Sequence, residues 1–169
     1  HAAKQSVKYS QLNFLIKIKE MKAKIAAGED VYSNALLVGN AFYNASYFGN
    51  ARSFYYNEVI NEYGIGVSNE HANMLYGMEN VQKYYNIAKK AAANNEEKAK
   101  MAYMLAKTQR NDFYYNKYFS TANYWGYPDG AVIQKWQGFV DLKTSYSDTK
   151  YYQDVIAECG YFRKYLGLQ

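Results

Sequence analysis

Two short stretches, NARSFYY at residues 50–56 and NVQKYYN at residues 80–86, form the sharpest internal repeat of this chain. They align at an offset of 30 residues, and each carries aromatic residues at its fifth and sixth positions. A period close to this length is typical of helical hairpins that stack one on the next. We therefore predict an all-α chain built from such hairpins.

The spacing of apolar residues predicts helices on both sides of the repeat. Over residues 4–27 they recur three, four or seven positions apart, as on one face of an amphipathic helix: Val7, Phe14, Ile18, Met21 and Ile25. Gly28 is predicted to end this helix and Asp30 to cap the next. Further predicted helices bring the total to about seven and cover residues 31–48, 50–63, 79–93, 96–110, 132–146 and 149–166. Asn111 and Asp112 either end the helix that precedes them or bend it.

One hairpin resembles a tetratricopeptide repeat (TPR). Its small and aromatic positions, where helices approach and rings fill the gap, are occupied by Gly39, Phe42, Phe48, Ala51 and Tyr55. The closing stretch, residues 139–152, is similar to turns of TPR proteins from bacterial envelopes, which read F-x-x-L-x-x-x-Y-P-x-[ST]-x-Y, with Ser147 in place of the proline. The resemblance implies a single TPR-like domain over residues 1–169, arranged as a right-handed α-solenoid.

The same resemblance implies a location and a binding groove. It suggests the C-terminal part of a longer bacterial protein in the periplasm or at the cell surface, with the cytoplasm left open. In the TPR family one helix of each hairpin lines a concave, peptide-binding groove, and the corresponding residues here are Ser33, Leu36, Asn40, Tyr43 and Asn44. Leu36 stands where a clamp for a peptide carboxylate would need a lysine, so a carboxylate clamp is disfavoured.

The residue types required for catalysis are scarce. The chain has two histidines and a single cysteine, Cys159, which is interpreted as structural, and these residues do not cluster. The carboxylate pairs 29–30 and 96–97 lie at predicted helix starts, where capping accounts for them. We therefore expect no catalytic residue, no metal and no cofactor, and the chain is not predicted to be an enzyme.

The composition also limits the classes of partner that the chain is expected to bind. The net charge is +5, but only three of the 20 basic residues are arginines, the usual readers of phosphates and bases. Nucleic acid is therefore not expected as a partner, and no apolar run in the sequence is long enough to cross a membrane. A protein or peptide partner is the leading hypothesis.

An aromatic loop provides the alternative. Tyr124, Trp125 and Tyr127 lie in the longest predicted loop, beside the only proline, Pro128. Exposed aromatic rings can stack on sugars, which would make the chain a glycan-binding or small-ligand-binding helical protein. The competing interpretation is that these rings fill the gap between two hairpins.

Overall fold

The computed structural model describes residues 9–51, 69–116 and 136–168, and these residues form α-helices without any β-strand. Their eight helical segments are α1 (Gln11–Ala26), α2 (Val31–Ala45), α3 (Asn69–Tyr76), α4 (Glu79–Ala91), α5 (Asn95–Tyr114), α6 (Gln137–Ser145), α7 (Lys150–Glu158) and α8 (Gly160–Leu166). The predicted all-α class is confirmed for this part of the chain. The predicted helix over residues 50–63 lies almost entirely outside it.

A tight turn joins α1 to α2. Ser10 caps α1 by accepting a hydrogen bond from the Asn13 amide at 3.2 Å. Gly28 has φ +76°, a left-handed conformation that glycine adopts readily, so its predicted role as a stop is confirmed. Asp30 occupies the N-cap position of α2 as predicted, but it has φ 38° and its side chain makes no capping hydrogen bond. The helix that follows ends at Ala45, three residues before the predicted Phe48.

The main core lies where α2 packs on α4. Its buried members come from α2, α4, α5 and the residue before α4: Ala35, Leu36, Tyr43, Met78, Val81, Tyr85, Ala88 and Met101. A methyl group on Gly39 would meet the ring of Tyr85, so the absent side chain of this glycine is what admits the ring. A smaller cluster of Ile18, Val38, Ala41 and Tyr84 joins α1 to the same core.

The next turn leads from α4 into α5. Asn94 caps α5 by accepting a hydrogen bond from the Glu97 amide at 2.9 Å, and Glu97 accepts one from the Ala93 amide at 2.7 Å. These reciprocal bonds satisfy backbone donors at the helix start. The helix then continues through Asn111 and Asp112 to Tyr114, so these two residues do not end it.

A second core cluster holds α6, α7 and α8 against α5. Its fully buried members are Ala99, Ala102 and Ala106 from α5, Leu142 from α6 and Phe162 from α8. The sequence also predicts Asp148 as the cap of α7, but the cap is Thr149, which accepts a hydrogen bond from the Tyr152 amide at 3.1 Å. The single helix predicted over residues 149–166 is also divided at Cys159, which is half-buried and separates α7 from α8.

Glu96, at the start of α5, links this helix to the start of α7. Its carboxylate accepts hydrogen bonds from the backbone amides of Lys150 at 2.7 Å and Tyr151 at 2.9 Å. These amides lie in the first turn of α7, where a helix leaves donors unpaired and favours negative charge. Glu96 therefore stabilises the start of a helix more than 50 residues further along the chain.

Candidate functional site

A cavity of about 700 Å³ lies between α1 and α2. Three of its apolar residues come from one face of α1 (Phe14, Ile18 and Met21) and two come from α2 (Leu37 and Ala41). Leu37 is 51% exposed, so its side chain reaches solvent at the cavity. The cavity thus combines an apolar floor with access from solvent, as binding sites for peptides and small molecules do.

Asparagines alternate with these apolar residues along α2. Asn34, Asn40 and Asn44 lie on the same face as Leu37 and Ala41, because residues three, four and seven apart share one side of a helix. The Asn34 amide nitrogen donates to the backbone carbonyls of Glu29 and Asp30, each at 3.0 Å. Asn44 also lines the cavity, and its side-chain amide has no hydrogen-bond partner among the residues that the structure describes.

Tyr85 fixes the position of Asn40. The buried Tyr85 hydroxyl donates to the Asn40 Oδ1 atom at 2.8 Å. Burial raises the pKa of Tyr85 well above its ordinary value, so the hydroxyl remains a donor throughout the physiological range. Because this bond occupies an Asn40 acceptor site, it leaves the amide nitrogen of Asn40 available to a ligand carbonyl.

The charged residues that line the cavity are both cationic. Lys17 and Lys24 lie along its α1 side, and Lys17 forms a salt bridge with Glu20 at 2.6 Å. The described lining contains no carboxylate, histidine or cysteine. Its side chains can therefore bind by apolar contact and amide hydrogen bonds, and they offer no general base and no nucleophile other than hydroxyls and lysine.

The structure separates the five predicted groove residues. Asn40 and Asn44 line the cavity, whereas Leu36 and Tyr43 are only 7% and 9% exposed and belong to the core. The Tyr43 ring lies 4.5 Å from the Lys107 ammonium, and its hydroxyl accepts from the Asn111 Nδ2 atom at 3.4 Å. Ser33 is half-buried and does not line the cavity. The five residues therefore do not share one open surface, and a ligand role for the buried pair remains a prediction.

Sequence reasoning missed the apolar half of this site. The spacing of Phe14, Ile18 and Met21 correctly predicts one face of a helix. The same spacing is typical of residues packed in a core, so it does not indicate that part of this face lines a cavity. Leu37 follows Leu36 directly, and periodicity does not reveal which of the two adjacent leucines faces the core. The asparagines at 34, 40 and 44 were the available signal, because polar residues at helical spacing mark the face that also carries Leu37.

The aromatic loop predicted to bind glycans, Tyr124, Trp125 and Tyr127, lies outside the described residues, so that alternative remains a prediction. No group of three or more histidine, cysteine, aspartate or glutamate residues within the described ranges is arranged to hold a metal ion. A membrane-spanning helix is likewise not found among the residues that the structure describes.

Comparison with known proteins adds no family to this fold and site. The chain matches no family model, no curated protein and no solved structure.

Proposed function

We propose that this chain is a non-catalytic protein-interaction module that binds a peptide segment of a partner in the cavity between α1 and α2. In this proposal the helices belong to a TPR-like right-handed α-solenoid. The protein acts in the periplasm or at the surface of a bacterium, which rests on the resemblance of residues 139–152 to turns of envelope proteins.

The observation that carries the proposal is the alternation of asparagine and apolar side chains around the cavity. An asparagine amide offers a donor and an acceptor, the same pair that each peptide group of an extended chain requires. The apolar floor formed by Phe14, Met21 and Leu37 suits the side chains of such a segment. The volume of the α1–α2 cavity, about 700 Å³, also lies within the range of roughly 300–1,000 Å³ that ligand pockets occupy.

A displayed peptide library tests this proposal. Twelve-residue random peptides are selected on the immobilised chain, and the dissociation constants of the enriched peptides are measured. Leu37→Glu is expected to weaken binding about tenfold, because it places a carboxylate on the apolar floor. Asn44→Ala is expected to weaken binding roughly fivefold, since it removes about 1 kcal/mol of hydrogen bonding.

Leu168→Glu provides the matched control. Leu168 is 48% exposed and does not line the α1–α2 cavity, so the same change from leucine to glutamate is expected to leave binding unchanged. The proposal fails if no peptide is enriched, or if the enriched peptides bind the Leu37→Glu and Asn44→Ala variants as tightly as the unmodified chain.

A further inference from the structure

A second groove follows α4 and α5. It consists of two cavities, of about 580 Å³ and about 310 Å³, and Gln82 lines both of them. The larger cavity lies among α3, the start of α4 and the end of α5, with Phe42 and Ser46 from the end of α2 and the residue after it. The smaller cavity lies among α4, α5 and α6. None of the described residues that line this groove lines the α1–α2 cavity.

This groove is polar and carries a negative charge. Its amide side chains are Asn73, Asn80, Gln82, Asn86, Gln109, Asn116 and Gln137. Of its charged residues, Lys89 and Asp141 form a salt bridge with each other at 3.1 Å. Glu79 and Asp112 have no cationic partner among the described residues, although the chain as a whole has a net charge of +5. The groove is therefore complementary to a positively charged ligand.

Asp112 is the more buried of these two carboxylates. It is half-buried, and its contacts are with neutral groups: the side-chain amide of Gln82 and the backbone amide of Met78. Burial and the nearby charge of Glu79 raise the pKa of Asp112, while the two hydrogen bonds oppose that shift. A cation placed beside Asp112 would stabilise its ionised form.

The walls of the larger cavity provide a surface for an aliphatic chain. Met74 is 73% exposed at its edge, and the half-buried Phe42 ring also lines it. Tyr115 completes the lining, with its ring stacked on Tyr76 at 5.5 Å between centroids and its hydroxyl donating to Asn73 at 3.0 Å. Long cationic side chains bury their methylene stems on apolar surfaces of this kind and keep their charged heads among polar groups.

We propose that this second groove binds a basic, extended segment of a partner protein and takes an arginine or lysine side chain into its larger cavity. The cationic head lies at Asp112 and Glu79, and the stem lies along Met74 and Phe42. The amides of Gln82, Asn86 and Gln109 are placed along the groove to pair with the backbone of the same segment. Nucleic acid is disfavoured as the ligand, because its phosphates would meet unpaired carboxylates.

This inference does not depend on the proposed function, since a separate set of residues carries it. The test uses two fluorescein-labelled peptides of ten residues, in which three arginines or three citrullines are separated by glycine and serine. Citrulline retains the shape of arginine without its charge. The arginine peptide is expected to bind about tenfold more tightly, as charge-assisted hydrogen bonds to a carboxylate provide. Fluorescence polarisation measures both dissociation constants.

Substitutions assign the binding to the groove. Asp112→Asn and Glu79→Gln are each expected to remove most of the preference for arginine over citrulline. Asp154→Asn makes the same change in net charge at an exposed site on α7 and is expected to leave the preference intact. The inference is overturned if the two peptides bind alike, or if the preference survives both substitutions in the groove.

The folding of the Asp112→Asn variant carries its own prediction. Because the pKa of Asp112 is raised in the folded protein, the folded state binds more protons than the unfolded state between the two pKa values, and stability falls as the pH rises through that interval. The variant cannot ionise there, so it is expected to be more stable than the unmodified chain at neutral pH. Urea denaturation should show this difference shrinking as the pH is lowered below the pKa of Asp112. A variant that is less stable than the unmodified chain at neutral pH would contradict a raised pKa of Asp112 in the folded protein.

Discussion

Replacing Tyr85 with Ala is expected to lower the free energy of unfolding by about 4 kcal/mol, because the substitution leaves a cavity in the main core. The Tyr85 side chain is fully buried where α4 packs on α2, and its ring fills the space that Gly39 leaves open. The surrounding residues, Ala35 and Met78 among them, are themselves fully buried and have little room to collapse into the gap. Chemical denaturation followed by circular dichroism measures the loss.

Tyr85→Phe separates the ring from its hydroxyl. This variant retains the ring and loses only the hydrogen bond to Asn40, so it is expected to cost about 1 kcal/mol. The comparison also bears on the candidate site, because Asn40 would lose the contact that orients its amide toward the α1–α2 cavity. If Tyr85→Ala proved no more destabilising than Tyr85→Phe, the ring would not be holding α2 and α4 together.

The helices were predictable where a buried face repeats without interruption. The prediction for residues 79–93 corresponds to α4 at Glu79–Ala91, and four residues from one side of this helix, Val81, Tyr84, Tyr85 and Ala88, are all buried. In this stretch the local pattern and the tertiary contacts favour the same conformation, so sequence alone is enough.

Boundaries were less predictable where distant residues decide them. Asn111 and Asp112 are poor residues for a helix interior, yet α5 passes through both. Asn111 is fully buried, with its side chain directed to the Tyr43 hydroxyl and the Met78 sulfur, which lie 68 and 33 residues away in sequence. Such contacts offset a weak local preference, and they are not visible in a local pattern.

The candidate binding surface was harder to predict than the helices, because a surface depends on how each helix is rotated. The resemblance to tetratricopeptide repeats placed Leu36 and Tyr43 in a groove, while the structure buries both and exposes Leu37. Adjacent residues on a helix point about 100° apart, so the choice between Leu36 and Leu37 rests on which face α4 covers. The second groove was missed for a related reason, since its residues come from α3, α4, α5 and α6 and show no common spacing.

The close contact between α5 and α6 at Gly138 can be tested by a single substitution. Gly138→Ala is expected to lower the free energy of unfolding by about 3 kcal/mol, because the added methyl group would collide with the carbonyl oxygen of Ala102 and would lie 2.8 Å from both Cβ and N of Ala106. Two of these three atoms belong to the backbone of α5, so no rotation of a side chain relieves the clash. The α6 helix must move away, and its buried Phe139 and Leu142 must move with it.

Gly160→Ala is the matched control for that substitution. Gly160 is the first residue of α8, and a methyl group there would meet only the end of the flexible Arg163 side chain, at 3.8 Å. Alanine favours helix more strongly than glycine, so this variant is expected to be as stable as the unmodified chain or slightly more stable. Urea denaturation of both variants distinguishes a close helix contact at Gly138 from a general intolerance of alanine. Equal stabilities for the two variants would show that α6 does not approach α5 as closely as the structure places it.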